Sequence, residues 1–368
     1  MKNINLFSPC VDDTDRSMVS EVLQGTSLTR GHQVEAFEQE LAEYLGAKEV
    51  VCVNNASNGL NLLYKALRPE CPGFIVTTPV TFVATATAAQ LNGYQLKLFD
   101  EDPLSHDWTQ IKSLAKPGDL LVPMHYGGNA GCVNDLLNTK NLIIEDACHA
   151  FGSVDKEGFH VGACRYSRAS VFSFHPAKAI TTLEGGAITT NDKKLAKHLR
   201  ELRNNGIRRN TAGRYLSYDT IEPSLNAHMN EVSAALGRSQ LKKIEVFKNK
   251  RFKLMQSYSN IFSEFDGVKF VHPEKRNCYH LATVLIDFDL FKITREQLMS
   301  DLSKRGIATN VHYIPLYSFE CIKGFPKKDY PKIEHFHSQT LSLPLHCHLS
   351  SDDIVYICEQ LFGCLKQV

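Results

Sequence analysis

Two hydrophobic periods alternate along the first 205 residues, and that alternation leaves the chain very few architectures. Val34, Phe37, Leu41 and Tyr44 recur every three or four residues, marking one face of an amphipathic helix with Gly46 as its natural stop. Val50-Val51-Cys52-Val53 is a short buried-strand run. The polar turn Asn54-Asn55-Ala56-Ser57 separates it from a second helical pattern carried by Leu60, Leu62, Leu63 and Leu67. Phe74-Ile75-Val76 then reads as strand, the alanine-rich stretch 83–92 as helix, and 95–100, 120–124 and 142–144 as strands. Short apolar strands spaced by helices predict an α/β fold whose mostly parallel sheet is covered on both faces. Such sheets bind ligands at the carboxyl ends of their strands, so the polar residues just after each strand are where chemistry is to be sought.

From about residue 228 the pattern changes. A long helical stretch passes through Val232, Leu236, Leu241 and Ile244 towards Tyr258. Beyond it lie a strand over 281–287, a helix over 295–304, a strand over 308–313 and a terminal helix over 352–364. The organisation expected is a large domain over residues 1–245 and a smaller α+β domain over 246–368, with the first ~20 residues packing on the smaller one.

Composition narrows the function. Lys plus Arg number 41 against 40 Asp plus Glu, a net charge of +1, which argues against a nucleic-acid partner or a polybasic membrane surface. No apolar run approaches the ~20 residues of a membrane helix. The opening MKNINLFSPCVDDTDR has no basic region followed by an apolar core, so no secretory leader is expected. The 11 cysteines show no CxxC and no zinc-type spacing, and Cys52 and Cys148 fall in strand-like or strand-end segments. Reduced thiols and a cytoplasmic location are the expectation. The pairs His335/His337 and His346/His348 would each share one face of an extended segment. No carboxylate or suitably aimed Cys completes either set, and no metal is expected.

Three segments could carry chemistry. In Phe172-Ser173-Phe174-His175-Pro176-Ala177-Lys178 a strand ends in polar residues, Pro176 stops the ladder, and one lysine stands in an uncharged stretch. A lysine in apolar surroundings has a depressed proton affinity, which frees the amine for Schiff-base chemistry; a surface lysine in a loop is the plainer alternative. In Ile143-Ile144-Glu145-Asp146-Ala147-Cys148-His149 an apolar strand delivers two carboxylates and a histidine. Strand alternation lets only one of the carboxylates face a given pocket. In 54–59, small and amide residues at a helix start offer backbone N–H groups and a hydroxyl to a phosphate, or simply cap the helix. Phe82, after Thr78-Pro79-Val80-Thr81, either lies over a ring or fills core. There is neither a GxGxxG fingerprint nor a GxxxxGK[ST] loop.

Together these segments resemble the pyridoxal-phosphate-dependent nucleotide-sugar aminotransferases of the DegT/StrS type, which have the aspartate aminotransferase-like fold (fold type I). The likeness runs from Leu28-Thr29-Arg30-Gly31 and Phe37-Glu38 through 54–60, 78–82, 145–149, 173–186 and 226–241 to Val311-His312-Tyr313-Ile314-Pro315. The string VFSFHPAKAITTLEGGAITTND resembles the branch that serves pseudaminic acid-type sugar biosynthesis.

The resemblance implies that Lys178 forms the Schiff base with pyridoxal 5′-phosphate and that Asp146 pairs with the pyridine nitrogen. It implies His149 near the phenolic oxygen, Phe82 stacked on the ring, and Ser57, Asn58 and Ser173 on the phosphate. Asn226 of the partner subunit would complete the phosphate cup in a homodimer, although the segment reads Asn226-Ala227-His228 where relatives carry Asn-x-Arg. Thr29, Arg30, His312, Tyr313 and Tyr317 are the candidate substrate contacts. The reaction implied moves an amino group from L-glutamate to the 4-keto carbon of a UDP-linked 6-deoxy-N-acetylhexose. The alternatives are another 4-keto nucleotide sugar (dTDP-, GDP- or bacillosamine-type UDP-linked), a sugar dehydratase, or a non-catalytic regulator. Lys178 argues against the dehydratases, which carry His at that position.

Overall fold

The computed structural model describes residues 2–106, 108–131, 133–209, 218–271 and 274–366. Helices α1 (Asp13–Gln24) and α2 (His32–Leu45) lead into β1 (Glu49–Val53) and α3 (Ala56–Leu67). There follow β2 (Ile75–Thr77), α4 (Ala84–Leu91), β3 (Leu96–Leu98), α5 (Thr109–Leu114), β4 (Leu120–Val122), β5 (Leu142–Asp146), β6 (Ala169–Ser173), β7 (Gly186–Thr190) and α6 (Lys193–Leu202). Strands β1 to β7 form one seven-stranded sheet in the order β1-β7-β6-β5-β4-β2-β3. Its pairings are parallel except those of β7, which runs against β1 and β6, so β7 alone is reversed. The strands are buried almost throughout, as expected of apolar runs covered on both faces.

Beyond β8 (Ile207–Arg209) and β9 (Tyr218–Thr220), an antiparallel ribbon, come α7 (Glu231–Leu241) and α8 (Ile244–Phe262). The helical pattern through Tyr258 is thus two helices, broken by a turn in which the Lys243 N–H donates to the Gln240 carbonyl. A three-stranded antiparallel sheet of β10 (Val268–Phe270), β11 (Ala282–Ile286) and β12 (Thr340–Leu343) carries α9 (Arg295–Lys304), α10 (Pro331–Gln339) and α11 (Ser351–Leu365). Helix α8 joins both cores. Its Ile244 and Phe247 pack with Phe37 and Phe174 of the large layer, whereas Leu254, Met255 and Tyr258 pack with Val284 and Leu361 of the small one. Ile4 belongs to the small core as well, tied by Ile4 N–H to Gly306 O (2.7 Å) and Ala308 N–H to Ile4 O (3.0 Å).

The strand expected over 308–313 is absent. Asn310 alone bridges to Ser342; the next N–H, that of Val311, donates to the Asn310 side chain (2.8 Å), and the His312 carbonyl accepts from Tyr126 Oη (2.5 Å). Side chains take the ladder's hydrogen bonds, and the segment leaves the sheet. Similarly, His335 and His337 lie on α10, where i,i+2 residues diverge, so they do not share a face. Among the described residues no cluster of His, Cys, Asp or Glu is arranged to hold a metal, and no helix is long and apolar enough to cross a membrane.

Two buried carboxylates tie distant parts together. Glu231, at the start of α7, accepts from the N–H groups of Gly31 (2.9 Å), Gln33 (2.7 Å) and Val34 (3.4 Å), and so caps α2, whose N-cap glycine has no side chain to do it. Glu145, on β5, meets His125 Nε2 at 2.8 Å and accepts from Ser170 Oγ (2.9 Å) and Ser167 Oγ. Burial alone would raise the Glu145 pKa, but these donors outweigh it and hold the carboxyl below 4.5.

Replacing Glu231 by Ala strands the first-turn donors of α2 and is expected to lower unfolding stability by about 2–3 kcal/mol in urea titrations; a loss under about 0.5 kcal/mol contradicts the capping role. Because the folded-state pKa of Glu145 is depressed, its contribution is present above pH 4.5 and is lost as pH falls through the lower folded value. The stability gap between wild type and Glu145→Gln should therefore narrow steadily on acidification below that point. A gap constant with pH contradicts it.

Candidate active site

The parallel strands deliver their carboxyl ends to one cavity of about 650 Å³, closed on the far side by residues from the small layer and the N-terminal segment. Lys178 stands on its floor. Reversed β7 begins at the cavity, so the chain between β6 and β7 must turn there. The turn is pinned by Phe174 N–H to Gly185 O (2.9 Å), Thr182 N–H to Phe174 O (2.9 Å) and the Thr181 hydroxyl to the same carbonyl (3.2 Å). Gly186 is required at its end, because a Cβ would lie 2.7–2.9 Å from Phe172 O, Ala56 N and Asn55 C. Burial lowers the Lys178 pKa from 10.5, against a smaller opposite pull from Cys148 and Asp146.

Asp146 closes β5, 2% exposed, and lines the same cavity, while Glu145 turns to the other face. Its Oδ2 accepts from Thr85 Oγ1 (2.9 Å) and Thr81 Oγ1 (3.3 Å), and its Oδ1 from the Cys148 N–H (3.3 Å). His149 Nδ1 accepts from the Gly127 N–H (3.3 Å), which assigns the ring proton to Nε2; Nε2 then donates to Tyr313 Oη at 2.7 Å. Burial and the nearby Lys178 drive the His149 pKa well below 6.5, and burial drives the Tyr313 phenol well above 10. His312, held by Ser342 Oγ at 2.9 Å, is pushed down to about 4 by the same two causes. Helix α3 points its N-terminus at the cavity. Asn55 caps it by accepting the Asn58 N–H (2.8 Å), leaving Ser57 exposed to the cavity beside Ser173.

The structure thus brings Ser57, Phe82, Asp146, His149, Ser173, Lys178, His312 and Tyr313 to one wall-to-wall site. Phe82 is 54% exposed and 6.0 Å from the Tyr313 ring, so it is not core. Asn58, Asn226, Thr29, Arg30 and Tyr317 do not line the cavity. Asn58 Nδ2 donates to Asn54, Asn226 accepts from the His228 N–H, and Tyr317 Oη donates to Glu334 (2.5 Å). Arg30 is exposed in a left-handed conformation (φ 56°). His228 is pushed down to about 4 by burial and by Arg203 and Arg30. Arg208, on β8, pairs with Glu201 through two 2.8 Å contacts. Four wall residues carried no local signal in the sequence: Phe7, Thr85, His280 and Asn310. Each reaches the cavity from a different part of the chain.

Pyridoxal 5′-phosphate needs an amine for its aldehyde, an acid for its ring nitrogen and an anion site for its phosphate. The cavity offers Lys178, a carboxylate already oriented by two threonines, and a helix N-terminus flanked by the hydroxyls of Ser57 and Ser173, so the donor set fits.

Comparison with known proteins agrees. A UDP-4-amino-4,6-dideoxy-N-acetyl-β-L-altrosamine transaminase of Campylobacter jejuni is 32% identical, over 97% of this chain and 96% of its own. The spore coat polysaccharide biosynthesis protein SpsC of Bacillus subtilis is 30% identical over the same shares. The solved structure of PseC from Helicobacter pylori, an aminotransferase involved in the biosynthesis of pseudoaminic acid, superposes with a TM-score of 0.92 at 28% identity, covering 100% of both chains. With the DegT/DnrJ/EryC1/StrS aminotransferase family matching residues 9–362, the chain belongs to that family: it is a pyridoxal 5′-phosphate-dependent aminotransferase of fold type I.

Proposed function

We propose that this enzyme transfers an amino group from L-glutamate to the 4-keto carbon of a UDP-linked 6-deoxy-N-acetylhexose, in the cytoplasm, for a pseudaminic acid-type sugar. The observation that carries the reading is the desolvated Lys178 amine in one cavity with Asp146 and the N-terminus of α3. The altrosamine transaminases, at 32% identity over nearly the whole chain, support the choice of acceptor.

When bound, the cofactor supplies a carbonyl that takes up amines and a ring that accepts the electron pair left by a departing α-proton. Lys178 would hold it covalently at rest through Nζ. Once freed by the amino donor, Nζ would take the donor's α-proton as a neutral base and, as an acid, deliver it to the cofactor's former carbonyl carbon, then carry a proton the opposite way when the keto sugar is aminated. Asp146 would accept the N–H of the ring nitrogen, and Thr81 and Thr85 fix its rotamer by occupying Oδ2. His149 would serve the phenolic oxygen, and Phe82 would pack on the ring. Ser57 and Ser173 would hold the phosphate, with Asn226 of the partner subunit in a homodimer; the Asn58 side chain, bonded to Asn54, does not line the cavity. His312 and Tyr313 meet the sugar nucleotide from the small layer, with Thr29, Arg30 and Tyr317 further out.

Lys178→Ala and Lys178→Arg should reduce turnover by at least about 1,000-fold while the cofactor still binds without covalent attachment, read by assay and by borohydride trapping with peptide mapping. Substantial turnover in either variant defeats the mechanism. Offered UDP-, dTDP- and GDP-linked 4-keto sugars with glutamate, the enzyme should show its highest kcat/KM on a UDP sugar and give a 4-amino product by mass and NMR. A dTDP or GDP sugar used faster overturns the choice of acceptor.

A further inference from the structure

His280 sits just before β11, is 3% exposed, and brings its Nε2 to 3.3 Å from Lys178 Nζ across 102 residues of sequence. Among the described residues no carboxylate pairs with Nζ, and the other ring nitrogen, His280 Nδ1, is buried without a hydrogen-bond partner. Two other rings pack against the imidazole. Phe7 stacks on it at 5.1 Å and 10°, and the His149 ring lies 4.3 Å away. Its backbone N–H donates to Gly127 O at 3.0 Å. This is an imidazole locked in plane with one nitrogen aimed at the lysine.

We propose that His280 is a positioning residue for Lys178: Nε2 accepts a hydrogen bond from Nζ and keeps the amine's lone pair facing the cavity whenever the lysine is not covalently occupied. The proposal rests on the reading of Lys178 as the cofactor lysine. During transamination the amine alternates between its neutral and ammonium forms. An acceptor at Nε2 bonds either form, whereas a donor there would engage the lone pair that must take the proton. The ring proton then resides on Nδ1. Burial and the neighbouring Lys178 drive the His280 pKa well below 6.5, so the acceptor persists at neutral pH. The other titratable or charged groups around the pair are His149, His312, Arg251, Cys148 and Asp146, and burial with Lys178 nearby also depresses the two histidines.

The test uses full-length apoprotein, acetylated with acetic anhydride between about pH 6 and pH 11, with Lys178 modification read by peptide mass spectrometry. In His280→Phe the half-labelling pH of Lys178 should fall by about one unit, because the charge-assisted bond to the ammonium form is gone. In the same variant, loaded with cofactor, the first half-reaction with glutamate should slow about 100-fold by stopped-flow absorbance. His280→Gln, whose amide oxygen can occupy the place of Nε2, should recover both; the shorter His280→Asn should not. A wild-type labelling profile and half-reaction in His280→Phe overturn the proposal, as do equal losses in Gln and Asn. If the Phe variant does not fold, the Gln and Asn pair decides alone. Borohydride trapping on the wild type separates the two readings. A label on Lys178 leaves the cofactor assignment standing whatever the His280 variants do, and a label on another lysine defeats both.

Discussion

An amine that is to act as a base near neutral pH, as proposed for Lys178, is ill served by a carboxylate ion-paired with it, and among the described residues none pairs with Nζ. An ion pair would favour the ammonium form; desolvation favours the neutral one. Asp146 is in the same cavity, but its oxygens are directed to Thr81, Thr85 and the Cys148 N–H. Three imidazoles also stand near the lysine, and the burial that lowers the lysine's pKa also keeps His149, His280 and His312 uncharged. One physical cause, exclusion of water, sets the protonation of four groups in the same sense.

That exclusion depends on strand direction. With β7 reversed, the β6–β7 connection has to turn where the parallel strands end, so a short pinned loop carries Lys178 into the place where β5 presents Asp146 and α3 presents its N-terminus. A right-handed helical crossover in its place would carry the chain away from the cavity to the amino ends of the strands and leave no short pinned loop to hold the lysine. The half of the cavity that holds Lys178 is therefore a consequence of register: Gly186 lies opposite both Val53 and Ser173, and its missing Cβ lets the start of α3 approach.

This half was legible in the sequence. The strand–helix alternation located β1 to β6, Gly46 does end α2 in a left-handed conformation (φ 72°), and alternation along β5 correctly sent Glu145 and Asp146 to opposite faces. What failed was legibility in segments whose backbone hydrogen bonds go to side chains. The segment 308–313 is expected as a strand, yet Asn310 and Tyr126 take the bonds a neighbouring strand would have taken. His335 and His337 have an extended segment's spacing but sit on α10, because Pro331 starts a helix there. Phe7 and His280 carry no local motif at all. Their role exists only where the N-terminal segment, the lead into β11 and the loop after β6 converge.

That convergence is fixed by backbone rather than by adaptable side chains. The turn at 125–131, which follows β4, accepts the His280 and Leu281 N–H groups on Gly127 O, at 3.0 and 3.4 Å. Gly128, at φ 98°, fits against Cys278 O and His149 O so closely that a Cβ would come within 2.4 and 3.0 Å of them. Ser153 Oγ reinforces the seam by donating to Gly128 O and accepting from the Cys278 N–H. The large layer thus grips the chain entering β11 at the very residues that precede His280. The spacing between His280 and Lys178 is set by two backbone turns, each immobilised by a glycine at a close approach, and a loop able to drift by an ångström could not hold a hydrogen bond of that kind.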